Sequence, residues 1–141
     1  MTEEASVQTF TQKVETILGS RGLDYLVNNA GVRNNSHYFV ILPTETPWTH
    51  QQAGQPDYPV SFSAEDFLSA FKINVLGPAL LFKTLLPVLE RGSRKVIVNL
   101  STRVGSISCA KEEFGDFCAT YASCKAALNM FVSTSMRNFT S

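Results

Sequence analysis

Tyr121-Ala-Ser-Cys-Lys125 sets a phenol and an ammonium four residues apart, a spacing that shares one face of a helix. A cation held beside a phenol favours the phenolate and lowers its pKa from about 10. Such a tyrosine can give or take a proton near neutral pH. The same pair is also what any amphipathic helix surface carries. Three other polar sets stand out. Asn28-Asn29-Ala30-Gly31 reads as a turn that ends a strand. Asn74 sits on an otherwise apolar helix face, where a buried amide satisfied by its neighbours is the plain reading. Ser101-Thr102 follows an apolar run and offers two hydroxyls, or a loop cap.

These residues need a scaffold. Val7, Phe10, Val14, Ile17 and Leu18 recur at helical spacing, and Gly19 and Gly22 stop that helix. Leu23–Val27 reads as a short strand ended by the Asn-Asn-Ala-Gly turn. From Val32 to Ser61 no period is visible, and Pro43, Pro47, Pro56 and Pro59 mark a long loop. Ser63 is a helix cap, with Glu65 and Asp66 in the first turn. The apolar face from Phe67 to Leu86 predicts one long helix to Glu90, kinked by Pro78. Lys95–Leu100 is a buried strand of the parallel kind. Ser101 to Thr120 is a loop, and a last helix runs from near Tyr121 to about Asn138. Strand, long helix, strand predicts two parallel neighbours in a three-layer α/β arrangement.

The 141 residues are 44% hydrophobic and 17% charged, which suits one globular domain or part of one. Twelve basic and twelve acidic residues cancel, so charge gives no reason to expect nucleic acid or an anionic membrane as partner. No apolar run is expected to span a bilayer. Met1-Thr-Glu-Glu-Ala5 is unlike a secretory or transit signal. Cys109, Cys118 and Cys124 read as free thiols in a reducing, cytoplasmic setting. No metal site is expected, because their spacing is not of a ligating type and no His lies nearby.

Taken together, the motifs resemble the short-chain dehydrogenase/reductase family. Asp24-Tyr-Leu-Val-Asn-Asn-Ala-Gly31 is similar to its D-x-L-V-N-N-A-G strand end. Asn74-Val-Leu-Gly77 is similar to its N-V-x-G helix, and Val96-Ile-Val-Asn-Leu-Ser-Thr102 to the strand that leads to the catalytic serine. Tyr121-x-x-x-Lys125 follows in family order. Gly105-Ser-Ile107 and Lys125–Met130 look most like the C-factor and sniffer-type carbonyl reductases. The resemblance implies a partial doubly wound, Rossmann-like parallel sheet, with a central βαβ unit and flanking helices. It implies NADP or NAD as cofactor and a small carbonyl or alcohol substrate. Tyr121 would be the general acid or base. Lys125 would lower its pKa and bind the nicotinamide ribose. Asn74 would hold a relay water, Thr102 would polarise the substrate in place of the usual serine, and Asn29, Ala30 and Gly31 would line the cofactor.

The glycine turn T-G-x-x-x-G-x-G that opens the family's domain is not in this sequence, nor is the acidic residue that holds the adenine. Residues 1–141 therefore read as a single partial domain without the glycine-motif half and the last strands. Two expectations follow. One is a carbonyl or alcohol oxidoreductase with little or no activity alone. The other is a non-catalytic interaction module, a homo- or hetero-oligomer paired through helices 63–90 and 120–138.

Overall fold

A computed structural model describes residues 4–33, 59, 62–109 and 118–135. Most of the proline-rich loop, Phe114 and Phe117, and the expected end of the last helix beyond 135 lie outside the described residues. Helix α1 (Glu4–Leu18) precedes strand β1 (Tyr25–Asn28). Helix α2 (Ala64–Phe71), a π turn (Lys72–Leu76) and helix α3 (Gly77–Glu90) lead to strand β2 (Val96–Asn99). A 3-10 turn (Arg103–Gly105) and helix α4 (Ala119–Ser135) complete the order. The strands pair in parallel, in register from Tyr25 opposite Val96 to Asn28 opposite Asn99. The expected βαβ unit is thus present, its strands starting and ending within two residues of the sequence reading.

Alternation along the strands decides which face is covered. Leu26 and Ile97 pack on buried Leu85, Val88 and Leu89 of α3, together with Phe10, Val14 and Leu18 of α1. Their neighbours on the other face, Tyr25, Val27, Val96 and Val98, are 50%, 56%, 37% and 41% exposed. The described residues therefore form two layers and not the expected three. A third layer would have to cover those four side chains, and no described helix does. Helices α1 and α3 also meet through Thr11, whose hydroxyl donates to that of Thr84 at 3.0 Å.

The expected single helix after Ser63 is broken by a π turn. Ser63 does cap α2, its Oγ accepting the Asp66 N–H at 3.3 Å. Further along, Pro78 has no N–H for the carbonyl four residues back, and its ring would crowd that carbonyl, which belongs to Asn74. The backbone widens instead: the Gly77 N–H reaches Lys72 O, five residues back. Ala64–Glu90 is also long and apolar enough to cross a membrane, with mean hydropathy 1.4 over its best window. That overturns the expectation that no run is. The apolar side of α3 is spent on the sheet and α1, as in the core helix of a globular fold.

At the other end of the strands, two glycines let the turns before β1 and before β2 touch backbone to backbone. A Cβ on Gly92 would lie 2.1 Å from Leu23 O, and one on Gly22 2.1 Å from the Arg91 carbonyl carbon. The Asp24 carboxylate ties the same turns together by accepting the Ser93 and Arg94 N–H groups at 2.6 and 3.0 Å. Gly92→Ala should therefore force the turns apart and cost roughly 1–3 kcal/mol, as overpacking does. Denaturant unfolding with a midpoint equal to the unsubstituted chain would contradict this.

Candidate active site

The parallel strands deliver two polar ends to one edge of the sheet. Asn28 and Asn99 are register partners, and Asn28 Nδ2 donates to Asn99 Oδ1 at 2.8 Å. Asn99 was not among the sequence candidates. Its signal was there, since each strand ends in an asparagine and the two runs were expected to lie side by side. Beyond Asn28 the turn residues Asn29, Ala30 and Gly31 are exposed.

Asn74 lies in the π turn and is fully buried. Its amide is matched to one residue of the turn after β1. Oδ1 accepts the Val32 N–H at 3.0 Å, and Nδ2 donates to Val32 O at 2.6 Å. This two-bond ring holds the turn against the helical layer, much as a strand neighbour would. Gly31 consequently stands over the site: a Cβ there would lie 3.0 Å from Asn74 Oδ1 and 3.6 Å from Lys125 Nζ. Gly31, Asn74 and Lys125 are thus brought together from three separate stretches of chain.

Helix α4 begins at Ala119, two residues before the expected start. Tyr121 and Lys125 share a face, with Lys125 Nζ 5.5 Å from the Tyr121 ring centroid. Lys125 is only 4% exposed, and its Nζ donates to Leu100 O at 2.7 Å. Burial pulls its pKa down. Tyr121 is partly buried, and burial raises its pKa; the Arg33 guanidinium pulls the other way, and the Cys118 and Cys124 thiols add to the rise. The expectation that Lys125 lowers the phenol's pKa is therefore corrected. The ammonium is turned to a backbone carbonyl, and desolvation of the phenolate outweighs the pull of the Arg33 guanidinium.

Thr102 caps the 3-10 turn that follows β2. It is half-buried, whereas Ser101 is exposed. The Gly105 N–H donates to Thr102 O at 3.1 Å, and Gly105 O accepts from Asn129 Nδ2 at 3.3 Å. Gly105 presses on α4 where Lys125 sits: a Cβ on it would lie 2.8 Å from Lys125 Cβ. The loop bearing Thr102 is so fastened to the helix bearing Tyr121. A groove of about 660 Å³ opens beyond this contact, among Gly105, Ile107, Ala126 and Met130. It holds none of Tyr121, Lys125 or Thr102, and it follows a different stripe of α4.

Comparison with known proteins agrees with this fold. The family model for short chain dehydrogenase matches residues 1–140. A short-chain dehydrogenase/reductase of Aspergillus aculeatus, AacuF, is 27% identical over 132 residues, which are 94% of this chain and 44% of that protein. NADPH-bound carbonyl reductase from chicken fatty liver superposes with a TM-score of 0.77 at 23% identity, over 98% of this chain and 48% of that one. The Drosophila melanogaster carbonyl reductase Sniffer gives 0.74 at 20% identity, over 97% and 50%. The chain therefore spans about half the length of the relatives it matches.

Asn74→Leu removes both partners of Val32 and should cost roughly 1–3 kcal/mol for each stranded backbone group. Unfolding of that variant at an unchanged denaturant midpoint would show that the ring does not hold the turn. Tyr121, observed by ring-carbon NMR, should titrate above an ordinary tyrosine. Because the folded state favours the neutral phenol, stability contributed there is kept below the ordinary tyrosine pKa and lost as pH rises through the folded one. A titration at or below the ordinary value would contradict the burial assigned to it.

Proposed function

Because the chain belongs to the short-chain dehydrogenase family, we propose that it carries the proton-transfer half of an NAD(P)-dependent oxidoreductase acting between a small carbonyl compound and its alcohol. The convergence of Gly31, Asn74 and Lys125 at one point, from three distant stretches, carries this reading. A Cβ at position 31 would crowd Asn74 Oδ1 and touch the Lys125 ammonium, so glycine suits the position, and Ala30 beside it is exposed. Such a cradle fits the nicotinamide end of the dinucleotide, which Asn29, Ala30, Gly31 and Lys125 would hold. When bound, the nicotinamide gives or takes the hydride.

The chain's own residues handle the proton and the substrate oxygen. A phenol kept neutral by burial is an acid ready to donate to a carbonyl oxygen that is becoming an alkoxide. Thr102 offers a second donor to that oxygen, with its backbone fixed through Gly105. Buried Lys125 is a proton donor with a lowered pKa one turn from Tyr121, and it suits return of the proton to the phenol. Asn74 acts on position, because it sets the height of Gly31 above Lys125.

No G-x-x-x-G-x-G set occurs in the 141 residues, so the groups that would grip the pyrophosphate are not among them. Binding energy from that part of a dinucleotide holds its reacting end in place. A second reading, an interaction module pairing through α2–α3 and α4, is favoured by exposed Leu68 and Met130 on those helices. Titration of the 141-residue chain with NADPH, followed by NMR and by a reductase assay on a reactive dicarbonyl, separates the readings. We expect weak binding that perturbs Gly31 and Lys125, without measurable turnover. Perturbation elsewhere only would sink the proposal. Turnover abolished by Tyr121→Phe would show that the chain suffices as an enzyme by itself.

A further inference from the structure

Strand pairing closes with Asn28 opposite Asn99. The side chains of that pair close it a second time, through the 2.8 Å bond from Asn28 Nδ2 to Asn99 Oδ1. Asn28 is buried and Asn99 half-buried. By alternation they share the covered face with Leu26 and Ile97. The residue after this pair is Leu100, and its N–H still follows the ladder, donating to Asn28 O at 3.1 Å. In a parallel ladder, a residue that donates to one position accepts from the residue two further on. For Leu100 that donor would be the Ala30 N–H. The Lys125 ammonium stands in that role and meets Leu100 O at 2.7 Å. Lys125 is 4% exposed, so its ammonium rests where the Leu100 peptide aims its carbonyl. That peptide is held on its N–H side by Asn28, the residue that Asn99 grips.

We propose that Asn99 is a positioning residue for Lys125: its amide oxygen, by holding Asn28, fixes the Leu100 peptide on which the ammonium rests. The part Lys125 then plays rests on the oxidoreductase reading, and the two fail separately. An amide pair that only strengthened the sheet would leave Lys125 alone, so the test is made there. A hydrogen bond to an ammonium favours its charged form. Loosening Leu100 O should therefore lower the Lys125 pKa further. The Lys125 Cε NMR signal of the 141-residue chain follows the titration. Asn99→Ala should lower the midpoint by about half a unit or more. Asn28→Ala should do the same, and the double variant should go no further, because all three remove one contact. Asn99→Ser, a milder loss of that contact, is measured in the same way where Asn99→Ala does not fold. Asn99→Asp keeps the acceptor oxygen and should not lower the midpoint. Thr11→Val cuts a hydrogen bond between α1 and α3, and as a control for lost stability it should leave Lys125 unmoved. A midpoint unchanged or raised by loss of the contact, lowered equally by Thr11→Val, lowered by Asn99→Asp, or lowered additively in the double variant overturns the proposal. NADPH added to the unsubstituted chain tests the other reading. If it perturbs neither Gly31 nor Lys125 while the Asn99 effect holds, the oxidoreductase reading falls and the positioning role stands.

Discussion

The hydrogen-bonded ring between the Asn74 amide and the Val32 backbone is the contact on which the site depends. One side chain presents an acceptor and a donor to the two polar groups of one residue, in the interior, where leaving either unmet is costly. The turn after β1 is thereby fixed to the helical layer and not only to the sheet. Gly31 gains its position over Lys125 as a result. Pro78 helps to make this possible. By denying the Asn74 carbonyl its ordinary partner it favours the widened turn in which Asn74 sits, so a proline and an asparagine four residues apart act as one device.

A second fastening works on the other strand. Gly105 brings backbone against α4 at Lys125, and Asn129 secures its carbonyl. The hydroxyl of Thr102 and the phenol of Tyr121 belong to stretches that could otherwise drift relative to each other. Reactive groups gain most from being held before the substrate arrives. Both fastenings rely on a glycine at the point of contact and an asparagine beside it.

Much of this was legible in the residues. The periodic apolar positions of α1 and the β-branched run at Val96–Val98 announced their elements, because burial on one face leaves a period in the sequence. The motifs at Asn28–Gly31, Asn74 and Tyr121–Lys125 were found in the right order. The π turn was not, since Pro78 predicts a disturbance but not its form. The missing third layer was not either. Val27 and Val98 look like core by type, and only the packing shows that nothing described covers them. The direction of the Tyr121 shift was misjudged for a related reason: spacing reveals that a lysine is near, but not that its ammonium is committed to Leu100 O. Asn99 was passed over because a strand-ending amide carries no pattern of its own.

The Asn74–Val32 ring also joins positions 42 apart in the chain. The entropy of closing a loop grows only with the logarithm of its length, by about 0.6 kcal/mol for each doubling. Once the ring is made, the segment it closes can lengthen or shorten at little thermodynamic cost, with both of its ends pinned near Lys125. Variation in its length would leave Gly31, Asn74 and Lys125 where they are. A lineage built on this arrangement can take up insertions and deletions between the two fastened ends and keep those ends in place.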